Sequence, residues 1–150
     1  HNPQARHALL AQAQTVITAS DIDTLARTVW AEARGEQFLG QRAVANVVIN
    51  RWGTDEGQFK RDDTIAMACL RPNQFSCWNA ADPNFEEMQT IGFGARSFRT
   101  AMRAALEAFD EPDLTEGARH YHTAGVSPEW SKRREPVVVI GKHYFFVGIL

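Results

Sequence analysis

The hydrophobic period of the sequence changes once along the chain, and this change constrains the fold more than any other feature. Between residues 20 and 110, apolar residues recur three or four positions apart, which is the spacing of one face of an α-helix. After residue 118, apolar residues stand in short β-branched and aromatic runs that are typical of strands. The sequence therefore predicts a predominantly helical α+β fold with a small antiparallel sheet near the C-terminus.

Four helices are predicted where the helical spacing meets capping residues. The first begins at Ser20, because Ser20 and Asp23 have the spacing of a capping box, and Gly35 is placed to end it in a left-handed cap. Asp62 or Asp63 is expected to cap the third helix. The second, third and fourth helices are predicted over residues 41–51, 64–70 and 94–109.

Three short strands are predicted in the last part of the chain, over residues 118–123, 137–140 and 143–147. Pro136 marks the boundary before the second strand. Gly141-Lys142 has the composition of a two-residue hairpin turn with glycine first. The last two strands are therefore expected to form an antiparallel hairpin.

The size and composition fit one globular domain. The chain has 150 residues, of which 44% are hydrophobic, enough for a single core. We expect a leader segment over residues 1–19 and a single catalytic domain over residues 20–150 that acts as a monomer. The net charge is only -2 and the Lys and Arg residues are scattered, which argues against nucleic-acid binding. No apolar run approaches the roughly 20 residues that span a bilayer.

The two cysteines, Cys69 and Cys77, leave two alternatives open. They enclose seven residues, so they form neither a redox C-x-x-C motif nor, by themselves, a structural zinc site. A disulfide across this short loop is typical of an oxidising compartment, whereas two free thiols are the simpler alternative. The distance between the two side chains decides between them.

Glu32 is the residue whose position points to catalysis. It stands seven residues after Leu25 and three after Val29, so it lies on or beside the buried stripe of the first helix. Burial raises the pKa of a carboxyl group because desolvation penalises the ionised form, and a general acid that works near neutral pH needs such a pKa. The alternative is a carboxylate paired with Arg27 or Arg34, and the spacing alone leaves both interpretations open.

Several sequence blocks in a fixed order resemble the bacterial cell-wall hydrolase family typified by spore-cortex lytic enzymes. The blocks are Thr28-Val-Trp-Ala-Glu-Ala-Arg-Gly-Glu36, Gly40 to Arg51, Gln74-Phe-Ser76, Ala118-Arg-His-Tyr-His122, Pro128-Glu-Trp130 and Ile140-Gly-Lys-His-Tyr-Phe145. They cover about residues 22–146, and dispersed blocks in order are much more specific than one short motif.

The resemblance implies a lysozyme-like or lytic-transglycosylase-like domain that cleaves peptidoglycan glycan strands without a cofactor. The first Glu of the E-A-R-G-E block is the family's catalytic acid, which here is Glu32. As in lytic transglycosylases, Glu32 would protonate the oxygen between N-acetylmuramic acid and N-acetylglucosamine. It would then deprotonate the muramic 6-hydroxyl to form a 1,6-anhydro product. We expect an extracytoplasmic site of action, in the periplasm, in the cell wall or after secretion, including a role as a phage-encoded lysis protein.

Two other reactions stay open at this point. A muramidase that hydrolyses the same bond needs a second carboxylate about 5–10 Å from the acid. The candidates are Glu36, Asp82 and Glu129. A metal-dependent N-acetylmuramoyl-L-alanine amidase needs a zinc site, for which His120 and His122 would share a strand face and His143 would be the third ligand. No carboxylate or Cys stands at recognised ligand spacing, so we expect no bound metal.

The expected substrate contacts combine aromatic rings, which stack on sugars, with amides that bind sugar edges. The segment 71–84 is rich in Pro, Asn and Asp, and a loop of this length is usually functional. Its Gln74 is expected to bind an N-acetyl carbonyl or a hydroxyl, while Phe75 either stacks on a sugar or packs into the core. Tyr121 and His122 are expected to line the cleft. Glu36 lies at its mouth as a second carboxylate or a solvated residue, and Trp130 is a substrate platform or a lid over the core.

Overall fold

The computed structural model describes residues 17–54, 56–60, 62–71 and 74–149. Five α-helices lie within these ranges: α1 Ala19–Ala33, α2 Phe38–Trp52, α3 Ile65–Leu70, α4 Phe85–Thr90 and α5 Arg96–Asp110. Short 3-10 turns occupy Gly57–Phe59, Ser76–Trp78 and Glu129–Ser131, and the strands are β1 His120–Thr123, β2 Val138–Ile140 and β3 His143–Phe146. No helix in the described ranges has the length and apolarity to cross a membrane. Most of the expected leader, residues 1–16, lies outside the described residues.

Helix α1 begins with a capping box, but not the predicted one. The box joins Thr18 and Asp21: the Asp21 N–H donates to Thr18 Oγ1 at 3.1 Å, and the Thr18 N–H donates to Asp21 Oδ2 at 3.1 Å. The other oxygen of Asp21 accepts the Ala66 N–H at 3.1 Å, a bond across 45 residues that favours this register. Asp23 instead pairs with Arg27 one helical turn later, at 2.8 Å. The predicted Ser20 cap was therefore two residues late.

The other helix boundaries also shift from their predicted positions. Helix α1 ends at Ala33, with bonds from the Arg34 N–H to Trp30 O and from the Glu36 N–H to Ala33 O. Gly35 has no positive φ angle, so it does not form the predicted left-handed cap. Thr64, rather than Asp62 or Asp63, caps α3 through its side chain. Helix α4 was not predicted, because its six residues carry no repeated apolar spacing.

Helix α2 is the centre of the fold, since every residue from Gly40 to Trp52 is buried. Helices α1 and α5 pack against it and against each other. Its polar residues are buried because they hold the segment that leads into β1: Asn46 Oδ1 accepts the Leu114 N–H at 3.1 Å, and Asn50 Nδ2 donates to Ala118 O at 3.0 Å. These bonds attach the sheet to the helical core.

The sheet is antiparallel with the strand order β1-β3-β2. Gly141, at φ 57°, opens the two-residue turn between β2 and β3, as the sequence predicted. One face of the sheet, here called the inner face, carries Tyr121, His143 and Phe145, and Phe145 packs against Ala43 and Val47 of α2. The opposite, outer face carries His120, His122, Tyr144 and Phe146. The inner face therefore lies against the helices, while the outer face points away from them.

Both cysteines are buried free thiols, so the disulfide alternative is not realised in this structure.

Candidate active site

Glu32 lies in the last turn of α1, and its carboxyl group meets the inner face of the sheet. The Tyr121 hydroxyl donates to Glu32 Oε1 at 3.0 Å. Burial is the main reason that the pKa of Glu32 is raised above its usual value, and the negative charge of Asp82 adds to the rise. The Tyr121 hydrogen bond and the positive charge of Arg51 act in the opposite direction on this pKa. The site thus favours the protonated acid and also supplies partners for the ionised form.

Tyr121 serves as a hydrogen-bond donor in this pair. Burial, together with the negative charge of Glu32, raises the pKa of Tyr121 well above its usual value, so its hydroxyl keeps its proton at neutral pH. Residue 121 was expected to line the cleft, and the structure places it on the acid itself.

A cleft of about 360 Å³ opens beside Glu32. The end of α1 and the following loop form one wall, and the β1 end and the β2–β3 turn form the other. The lining residues are Glu32, Ala33, Gly35, Glu36, Thr123, Ala124, Gly125, Lys142 and His143. A second cavity of about 440 Å³ shares Gly35, Glu36 and Lys142 with this cleft, so the two cavities adjoin at these residues and are together called the groove.

Glu36 holds the β2–β3 turn at the mouth of the cleft. Its Oε1 accepts the Lys142 N–H at 2.8 Å and lies 3.8 Å from His143 Nδ1. Its side chain is only 14% exposed, so it is not the freely solvated residue of one sequence interpretation. A Cβ atom on Gly141 would come within 2.9 Å of Glu36 Oε1, which explains why glycine suits this turn.

Residues 74–84 pack against α1 and bring Asp82 towards Glu32. Trp78 Nε1 donates to Thr28 Oγ1 at 2.9 Å, one helical turn before Glu32. Asp82 accepts bonds from Ser76 Oγ at 3.0 Å and from the Asn84 N–H at 2.8 Å, which fix its carboxylate. Asp82 was one of three candidates for a second carboxylate, and its effect on the pKa of Glu32 marks it as a nearby negative charge.

Arg51 is a buried cation in the last turn of α2, and its positive charge acts on the pKa of Glu32. Its Nε donates to Arg119 O at 2.7 Å, and its guanidinium lies over the rings of Phe59 and Phe75 at 4.4 and 4.9 Å. Burial lowers the pKa of Arg51 to about 10, which still leaves it charged at neutral pH.

Gln74 and Phe75 are not among the residues that line the groove. Phe75 is 2% exposed and belongs to the hydrophobic core, so of its two predicted roles the structure shows core packing and not stacking on a sugar. Burying this apolar ring in the core stabilises the fold, and the Arg51 guanidinium lies over the ring, which leaves no face for a sugar. Gln74 is half-buried, and its backbone N–H donates to Arg71 O at 3.2 Å. It does not contribute to the lining of the groove.

The outer face holds two further predicted residues away from Glu32. The centroid of the Trp130 ring lies 5.2 Å from the ring centroids of His120 and of Phe146. The His122 ring stacks on that of Phe146, with 5.2 Å between their centroids. The alternation of strand side chains puts these residues on the face opposite Tyr121, so His122 does not line the cleft as it was expected to. Of the two roles considered for Trp130, the structure favours a cover, which here lies over the outer face.

The three histidines considered as zinc ligands are divided between the two faces. His120 and His122 lie on the outer face, whereas His143 lies on the inner face with its ring centroid 5.0 Å from that of Tyr121. Among the described residues, no group of three or more His, Cys, Asp or Glu side chains is arranged to hold a metal ion. The amidase alternative therefore has no ligand set in this part of the chain.

The helical core, the small sheet and the acid in the groove define a lysozyme-like domain. The chain belongs to the cell wall hydrolase family, since the family model described as Cell Wall Hydrolase matches residues 35–146. Two solved structures are similar over most of their length. The catalytic domain of the germination-specific lytic transglycosylase SleB from Bacillus anthracis has a TM-score of 0.66 and 29% identity, over 85% of this chain and 94% of that one. The catalytic domain of Bacillus cereus SleB has a TM-score of 0.68 and 28% identity, over 87% and 92%.

Curated relatives give the same family. The spore cortex-lytic enzyme of Halalkalibacterium halodurans is 31% identical over 127 residues, which are 84% of this chain and 34% of the relative. That of Bacillus subtilis is 31% identical over 128 residues, 84% of this chain and 37% of the relative. The chain thus spans less than half the length of these relatives. The predicted family and the predicted fold class are both confirmed.

Proposed function

We propose that this domain is a peptidoglycan lytic transglycosylase that cleaves the bond between N-acetylmuramic acid and N-acetylglucosamine, with Glu32 as acid and base. The observation that carries the proposal is the Glu32 carboxyl group, which borders the cleft, has a raised pKa and accepts a hydrogen bond from Tyr121. Family membership and the likeness to a lytic transglycosylase catalytic domain support glycan strands as the substrate class.

The first step uses the protonated form of Glu32. Its proton passes to the glycosidic oxygen as the bond from that oxygen to muramic C1 breaks, and the N-acetylglucosamine leaves with a free hydroxyl. The substrate's own N-acetyl group stabilises the positive charge that develops at C1. The carboxylate left behind is stabilised by the Tyr121 hydroxyl and by the buried charge of Arg51.

The second step uses the ionised form. Glu32 takes the proton from the muramic 6-hydroxyl while that oxygen bonds to C1, which closes the 1,6-anhydro ring and restores the protonated acid. No water is consumed. Because the same group must give and accept a proton, its pKa has to be raised but not fixed at one extreme. Burial raises this pKa and the Tyr121 hydrogen bond lowers it.

Hydrolysis by a muramidase is the second candidate, and Asp82 is the observation that favours it. The Asp82 carboxylate is fixed by Ser76 and Asn84 and acts on the pKa of Glu32. A carboxylate so held would position a water molecule for attack at C1. The two candidates differ in product: an anhydro end in one case and a reducing end in the other.

The deciding experiment is mass spectrometry of muropeptides released from purified peptidoglycan by the wild type and by Glu32→Gln. The wild type should release anhydro-muropeptides, and Glu32→Gln should lower the rate about 1000-fold because it cannot transfer the proton. Glu111→Gln, which makes the same change at an exposed residue directly after α5, is the matched control. Reducing ends would support the muramidase, and an active Glu32→Gln would refute the assignment.

The stability of Glu32→Gln separates lost chemistry from lost folding. Because the pKa of Glu32 is raised in the folded state, ionising it costs stability as the pH rises through that pKa. Glutamine removes this cost, so the variant should unfold at the same or a higher temperature than the wild type at pH 7. A lower unfolding temperature would mean that the variant is inactive for a structural reason.

The substrate also bears on the place of action. Peptidoglycan lies outside the cytoplasmic membrane, so the proposed enzyme works in the periplasm, in the cell wall or after secretion, and a phage lysis role fits the same substrate. The site described here is formed by a single chain, which suits action as a monomer.

A further inference from the structure

Lys142 lies at the junction of the two cavities, and its backbone is held from both sides. Its N–H donates to Glu36 Oε1 at 2.8 Å, and its carbonyl accepts the Ala124 N–H at 2.8 Å. The left-handed Gly141 sets the direction of the turn before it. Lys142 is exposed and lines both cavities, so its side chain is within reach of the groove.

The groove has one fixed positive charge among its lining residues, and that charge is Lys142. Glu32 and Glu36 are the acidic residues of the lining, and His143 has its pKa lowered by burial. A groove with carboxyl groups alone would repel an anionic substrate, whereas a lysine at the junction attracts one. The charge pattern therefore indicates a ligand with carboxylates near the middle of the groove.

The second cavity adds an apolar wall to this charge. Leu39 is 54% exposed there, and the half-buried Ile140 lies beside it. A single exposed leucine is ordinary on a protein surface, but here it shares a cavity with a cation next to the acid. Small apolar groups and a carboxylate on the same ligand would complement this cavity.

We propose that the second cavity binds the acidic peptide stem of the substrate, with Lys142 paired to a stem carboxylate and Leu39 and Ile140 against its alanine methyl groups. This inference rests on the proposed function. If Glu32 cleaves next to a muramic acid, the lactyl group of that sugar carries the peptide away from the glycan strand. Since the second cavity adjoins the Glu32 cleft, the peptide can enter it while the sugar stays beside the acid.

The test compares two substrates from one preparation: glycan strands with their peptide stems, and the same strands after the stems have been removed. The wild type should show a KM about fivefold lower on the stem-bearing strands, as one exposed ion pair allows. Lys142→Met should raise the KM on stem-bearing strands until the preference falls from about fivefold to about twofold, the part left to the apolar wall. Lys142→Arg should keep the preference, and 0.5 M salt should reduce it in the wild type.

Lys132→Met is the matched control, because it removes the same charge from an exposed lysine that pairs with Glu129 away from the groove. It should keep the wild-type KM ratio. Leu39→Ser should lower the stem preference about twofold, since it removes part of one apolar contact. These substitutions all fall on exposed residues, so their effects do not depend on refolding the core.

Three results would overturn the inference. The first is an equal KM of the wild type on both substrates. The second is an unchanged preference in Lys142→Met, and the third is a loss of preference in Lys132→Met as large as in Lys142→Met. Any of these would leave the proposed function intact, because both substrates would still be cleaved. Absence of new anhydro or reducing glycan ends from both substrates would instead refute the proposed function itself.

Discussion

The two faces of the three-stranded sheet carry the same kinds of side chain but serve different purposes. On the inner face, Tyr121 meets the acid Glu32, and His143 lies beside Glu36. On the outer face, His120 and Trp130 pack on each other, remote from the acid. His120 and Tyr121 are neighbours in sequence, so membership of one motif does not imply one role. The inner face should therefore control activity, and the outer face should control stability.

The largest expected effect on the outer face concerns His120. Burial, with the nearby cations Arg51, Arg119 and Arg134, lowers the pKa of His120 to about 4. The unfolded chain binds this proton near pH 6.5, so His120 contributes stability above that pH which is lost as the pH falls towards 4. The loss amounts to about 3 kcal/mol.

His120→Gln should remove this part of the acid sensitivity. Chemical denaturation of both proteins at pH 7 and at pH 4 measures it as the difference in the free energy of unfolding. Activity at pH 7 should stay near the wild-type value. An equal loss of stability in the two proteins would show that the outer face does not carry the titration.

On the inner face, Tyr121→Phe should lower kcat about tenfold, because it removes a hydrogen bond to a charged group. That bond lowers the pKa of Glu32, so its removal should raise this pKa further and move the alkaline limb of the kcat/KM profile to higher pH. Tyr144→Phe makes the same change on the outer face and should leave the profile in place. Equal behaviour of the two variants would break the contrast between the faces.

Trp130→Ala should have the smallest effect on activity. It should lower the free energy of unfolding by about 1 kcal/mol through lost aromatic contacts. Both kcat and KM should stay within about twofold of the wild type, since Trp130 lies on the face opposite the acid. A KM several-fold higher would mean that a glycan strand reaches around the sheet to the outer face.

Local patterns predicted the elements better than the site. The helical period predicted α1, α2, α3 and α5 to within a few residues, and Gly141-Lys142 predicted the hairpin turn. Helix α4 was missed because it is short and carries no periodic signal. For Phe75 and Trp130, a substrate role was one of two alternatives, because the sequence pattern of an aromatic residue in a loop is the same whether the ring contacts a sugar or covers a core.

By itself, the sequence determined the fold class, the family and the placing of an acidic residue on the buried stripe of α1. These depend on short-range spacing and on motif order, which are both properties of the linear sequence. Only the tertiary structure decided the partners of that acid and of Glu36 at the mouth of the cleft. The Tyr121 bond to Glu32 crosses 89 residues and the Lys142 bond to Glu36 crosses 106. Such bonds form when packing brings distant segments together, so no local pattern contains them.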